Sequence, residues 1–74
     1  MSKTHTLYYT TFGERMEVLH RYPDRSTGGV FGIHSKAVSA ELRLLASGLD
    51  GTVQMVYIPP HEWDNLLSTF VRGA

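Results

Sequence analysis

The dipeptide Pro59-Pro60 separates two runs of different period, and this junction constrains the fold more than any other feature of the chain. Before it, Thr52-Val-Gln-Met-Val-Tyr-Ile58 is β-branched, aromatic and apolar, which suits a pleated surface. After it, Trp63, Leu66, Leu67 and Phe70 recur at the spacing of one helix face. Proline lacks the N–H that a ladder uses, so it ends the strand. Pro60 also fits the first helical position, where that N–H has no intrahelical partner. Glu62 and Asp64 near the helix start and Arg72 near its end complement the macrodipole. The predicted pair is strand 52–58 followed directly by helix 61–72.

Two further units precede it. Residues 5–12 are rich in threonine and aromatics and read as a strand, with Leu7 and Tyr9 on one face and Tyr8 and Phe12 on the other. Gly13-Glu14, with glycine at the first central position, suits a type II′ two-residue turn. Residues 15–22 then alternate: Met16, Val18, His20 and Tyr22 against Arg15, Glu17, Leu19 and Arg21. A β-hairpin follows. Residues 23–29 are loop by composition. Val30-Phe-Gly-Ile33 is a candidate third strand weakened by its glycine. Ser35 is a favourable N-cap. Val38, Leu42, Leu45 and Leu49 define one face of a helix over 36–47, with Lys36 and Arg43 outward and Gly48 as a left-handed stop. Asp50-Gly51 turns the chain into the last strand.

The fold expected is a single α+β domain over residues 1–74, with 1–4 an unstructured N-terminus. Its order is β-β-(β)-α-β-α, with a mainly antiparallel sheet packed against two helices. The expected core is Leu7 or Tyr8, Val18, Val38, Leu42, Leu45, Val53, Met55, Trp63, Leu66 and Phe70. Strand 52–58 is apolar on both faces, which predicts an inner strand or one covered by a partner.

Size limits how stable such a fold can be. A chain of 74 residues buries only about 60–65% of the surface exposed when unfolded. With no cysteine, neither a disulfide nor a thiolate metal site can staple it. A homodimer or a place within a larger complex is therefore expected. Seven basic and seven acidic residues cancel, without the basic excess common among nucleic-acid binders. The N-terminal residues lack the apolar run of a signal peptide, and no stretch is long enough to span a bilayer, so a cytoplasmic protein is expected.

The chemistry-bearing residues form no recognised constellation. His5, His20, His34 and His61 share no ligand spacing, so neither a metal nor another cofactor is predicted. His34 and Ser35 are sequence neighbours, which seldom point at each other, and the serine serves better as a cap. Glu62 and Asp64, two apart on a helix, fall on different faces. Arg25-Ser-Thr-Gly-Gly29 lacks the lysine and spacing of a phosphate-binding loop. No enzyme is expected.

What remains is a surplus of aromatic and apolar positions for so short a chain. Tyr8 and Tyr9 face opposite sides of one strand, so one is exposed unless both sides are covered. Tyrosine and arginine are enriched at protein interfaces. The predicted partner-binding residues are Tyr8, Tyr9, Arg15, Arg21 and Arg25, with Tyr9 the expected exposed tyrosine, or Tyr8 if Leu7, Tyr9 and Thr11 face the helices. The function expected is a small non-enzymatic protein-interaction module. Regulators, small subunits and inhibitors, including those encoded by phages and mobile elements, have this size and lack of chemistry. The alternative is a nucleic-acid-associated module that stacks bases on the aromatic, arginine-bearing hairpin.

Overall fold

The computed structural model describes residues 3–23, 30–34 and 38–72, without the side chains at 30, 31, 34 and 70–72. Among the described residues the elements, in chain order, are β1 (Thr4–Phe12), β2 (Arg15–Arg21), β3 (Val30–His34), α1 (Val38–Ser47), β4 (Thr52–Tyr57) and α2 (Pro60–Arg72). The α+β architecture and the β-β-β-α-β-α order are those expected, and Val30–His34 is a strand. Ser35, Lys36 and Arg25 lie outside the described residues, as do the side chains of Phe70 and Arg72.

The four strands form one sheet in the order β3-β2-β1-β4. The β1–β2 and β2–β3 ladders are antiparallel, and β4 joins β1 in parallel. The expected inner position of strand 52–58 is corrected: β4 is an edge, and β1 and β2 are the inner strands. The reason is topological. The short turn at Gly13-Glu14 pairs β1 with β2, whereas the α1 crossover carries the chain to the free side of β1. Two residues of the expected 1–4 tail take part in the sheet: Thr4 is in β1, and Lys3 O accepts the Thr52 N–H at 2.8 Å.

Register sorts the side chains into two faces. Leu7, Tyr9 and Thr11 stand opposite His20, Val18 and Met16 and share their face. Leu7, Met16, Val18 and Leu42 form the buried cluster there, and Tyr9, Ile33, Val38, Leu45, Ala46, Leu49 and Val53 pack around it. Helix α1 therefore covers this face. Leu19 and Thr10 are buried on the other face. Trp63 of α2, 1% exposed, lies against that side through Glu17. The sheet thus lies between the helices, which is why β2 buries Val18, Leu19 and His20 in succession.

Most of the expected core is present: Leu7, Val18, Leu42 and Trp63 are buried, and Val38, Leu45, Val53 and Leu66 are half-buried. Met55 is the exception at 46% exposed. Of the β4 side chains on its face, only Val53 reaches the α1 cluster. Met16 and Leu19 belong to the interior although they were absent from the expected core.

Two glycines are required by the backbone. Gly13 has φ 61°, the left-handed value of a primed hairpin turn, and the space around it is open. Gly51 has φ 110°, and a Cβ there would sit 2.6 Å from Lys3 O. Glycine at Gly51 therefore lets β4 close on β1. The expected left-handed stop at Gly48 is corrected. The left-handed residue is Gly51, and α1 ends instead on three-residue bonds, Gly48 N–H to Leu45 O and Leu49 N–H to Ala46 O.

Candidate partner interface

The hairpin residues predicted as a site do not share one surface. Tyr9 faces α1 and packs on the core, so its expected exposure is corrected: it is half-buried, as is Tyr8 on the α2 face. Both faces of the sheet are covered, which removes the premise that one tyrosine must be exposed. Arg15 and Arg21 share the α2 face with Tyr8 but stand at opposite ends of β2, opposite Phe12 and Thr6 respectively. Six residue steps along the strand separate them, about 20 Å.

One end of the hairpin is nevertheless organised. The Trp63 indole N–H donates to Glu17 Oε1 at 3.0 Å. The other carboxylate oxygen, Oε2, lies 3.1 Å from Arg15 Nη2. The Glu17 side chain is 16% exposed and that of Arg15 is 53% exposed. One carboxylate thus links a buried indole to an exposed guanidinium. Gly32, opposite Glu17 on β3, lies beneath the guanidinium: a Cβ there would meet Arg15 Nη2 at 3.4 Å, an ordinary van der Waals contact. Phe12, 41% exposed, stands directly opposite Arg15 on the same face, next to the Gly13 turn. The result is an exposed aromatic beside an arginine held by a relay that ends in the core.

The sequence contained signals for both features. An indole in the first turn of a helix needs a polar partner when buried, and Glu17 shares its face with buried Leu19. Phe12 is the last strand residue before the turn.

A second polar constellation lies on the α1 face. His5 Nδ1 is 2.9 Å from His20 Nε2, and His5 Nε2 is 2.6 Å from the carbonyl oxygen of Asp50. A carbonyl only accepts, so His5 Nε2 carries a proton and donates it to Asp50. In neutral His5, Nδ1 then accepts from the His20 Nε2–H. The pair ties the start of β1 to the end of β2 and to the turn before β4. Tyr22 leans on His20 with ring centroids 4.3 Å apart. Burial first, and the neighbouring His5 second, lower the His20 pKa from its ordinary value of 6.5. Register explains why separate sequence positions meet. His20 is opposite Leu7, so His5 is its diagonal neighbour on the same face. His61 is exposed on α2. Among the described residues, no three histidine, aspartate or glutamate side chains gather as metal ligands. Nor is any helix among them long and apolar enough to cross a membrane.

No family model, no curated protein and no solved structure matches the chain.

Proposed function

We infer that the chain is a non-enzymatic protein-binding domain whose contact surface is the turn end of the hairpin, centred on Phe12 and Arg15. The observation that carries this reading is the relay from Trp63 through Glu17 to Arg15 beside an exposed phenylalanine. An arginine already held in one orientation loses little conformational freedom on binding, and an aromatic neighbour adds apolar area to bury. Arg15 belongs to the surface expected from the sequence; Phe12 takes the place assigned there to Tyr8 and Tyr9. A regulator, a small subunit or an inhibitor would act through such a surface by occupying a partner.

The test compares affinity capture from extracts of the native host by the wild-type chain and by a Phe12→Ala/Arg15→Ala variant of matched melting temperature. Proteins enriched by the wild type should fall about tenfold or more with the variant, the effect of removing interface hot spots. Equal enrichment by both would refute the placement. Capture of nucleic acid that fades steeply as salt is raised would instead favour the base-stacking reading.

A further inference from the structure

We propose that β4 is a self-pairing edge: two copies of the chain join their β4 strands antiparallel about a two-fold axis through Met55, continuing each four-stranded sheet into the other. This goes beyond the hairpin-tip reading and uses a different surface.

The main chain fixes which groups are available. Thr52 N–H donates to Lys3 O, and Ile58 N–H donates to Tyr9 O. Because successive residues of a strand turn their N–H and C=O groups to opposite sides, Thr52, Gln54, Val56 and Ile58 serve β1. Val53, Met55 and Tyr57 therefore present theirs outward, on the side where the strand order ends. The β1–β4 register runs unbroken from Thr4↔Thr52 to Tyr9↔Tyr57, so no bulge deflects the edge.

The side chains do not protect this edge. Natural edge strands are blunted by charge, proline or bulges. Between Thr52 and Tyr57 there is no charged residue, no proline and no glycine. Met55 and Tyr57 are 46% and 49% exposed on the α1 face, and the Tyr57 ring is braced edge-on by Tyr9 at 5.4 Å.

Charge pattern argues for a second copy as the occupant. Under a two-fold axis, a charge near the axis meets itself, and like charges directly opposite destabilise a strand pair. β4 carries none, and the whole chain has zero net charge, so two copies approach without long-range repulsion. With Met55 on the axis it faces Met55 of the second copy, and Val53 faces the second copy's Tyr57. The first is an apolar pair, and the second is an aromatic–β-branched pair of the kind that stabilises sheets. On the opposite face, Gln54 meets the second copy's Val56. The three outward residues of each strand exchange about six main-chain hydrogen bonds.

The register supplies its own test. Sedimentation equilibrium at micromolar concentration is run on the wild type, Met55→Lys, Met55→Glu and an equimolar mixture of the two variants. Residue 55 is exposed, so both variants should keep a cooperative melt. The wild type should sediment as a dimer. Each variant should be monomeric, its self-association weakened on the order of 100-fold by like charges at the axis. The mixture should recover the dimer mass, because lysine then faces glutamate. A wild type that stays monomeric, variants that remain dimeric, or a mixture that stays monomeric would each overturn the proposal.

Discussion

On the α1 face, Leu7, Met16, Val18 and Leu42 share the closure, with seven further apolar side chains packed around them. On the α2 face, buried Leu19 and the single indole of Trp63 lie beside a carboxylate, and Thr10 Oγ1 is buried without a hydrogen-bond partner among the described residues. The first face is redundant and almost wholly apolar near its centre. The second centres on Trp63, with Tyr8, Val56, Ile58, Leu66 and Leu67 half-buried, and joins its core to an exposed arginine. A distributed apolar face tolerates local change. A face organised around one polar relay can hold a surface side chain in place, and among the described residues its fully buried apolar side chains are Leu19 and Trp63.

Trp63→Ala is therefore the most damaging single truncation expected, about 3–5 kcal/mol, since it opens a large cavity and leaves Glu17 without its indole donor. Hydrogen exchange should show protection lost first in α2. Leu42→Ala should cost about 2–5 kcal/mol by the same cavity logic and loosen α1 instead. If both substitutions destabilised both helices equally, the distinction between the faces would fail. Chemical denaturation with fluorescence and exchange readouts covers both.

A backbone comparison comes next. Gly51→Ala should cost about 1–3 kcal/mol, because a positive φ and a Cβ 2.6 Å from Lys3 O act together. Gly13→Ala, with open space around it, should cost only about 1 kcal/mol from its φ. Equal losses in urea denaturation would mean that β4 does not close tightly on Lys3.

Thr10→Val tests the α2 face in the opposite direction. Removing a buried, unpaired hydroxyl should raise stability by about 1 kcal/mol. A lower melting temperature would show that the hydroxyl has a partner.

The α1 face has one titratable weak point. The folded-state pKa of His20 lies below its unfolded value of 6.5. Above 6.5 both states are neutral there and the contribution to stability is complete. As pH falls through 6.5 towards the folded value, the unfolded chain takes up the proton first and stability is lost. The melting temperature should decline over that window, and His20→Gln should flatten the decline even if its own melting temperature is lower.

The elements were legible because each rests on a local pattern: alternation in β1 and β2, a four-three-four repeat in α1, and Pro60 at the start of α2. The partner of each strand was less legible. Nothing local in Thr52–Tyr57 distinguishes a parallel edge from an inner strand, because an uncharged edge awaiting cover and a buried strand have the same composition. The candidate interface was half legible. Arg15 was recognisable as an arginine on an aromatic hairpin, but the carboxylate it pairs with is also bonded by Trp63, 46 residues downstream of Glu17, a distance no periodicity spans. Tyr8 and Tyr9 are both half-buried because the two helices lie on opposite faces of the sheet rather than together on one.

The claim that the hairpin tip binds a protein partner is tested most directly by comparing three forms of the chain in quantitative capture from the native host: wild type, Phe12→Ala/Arg15→Ala, and Asp64→Lys/Asn65→Lys on the exposed side of α2. With all three forms equally folded by melting curve, the account predicts that the α2 variant retains the wild-type partner while the hairpin variant loses it about tenfold or more. Retention by the hairpin variant and loss by the α2 variant would contradict the account and move the functional surface to the C-terminal helix.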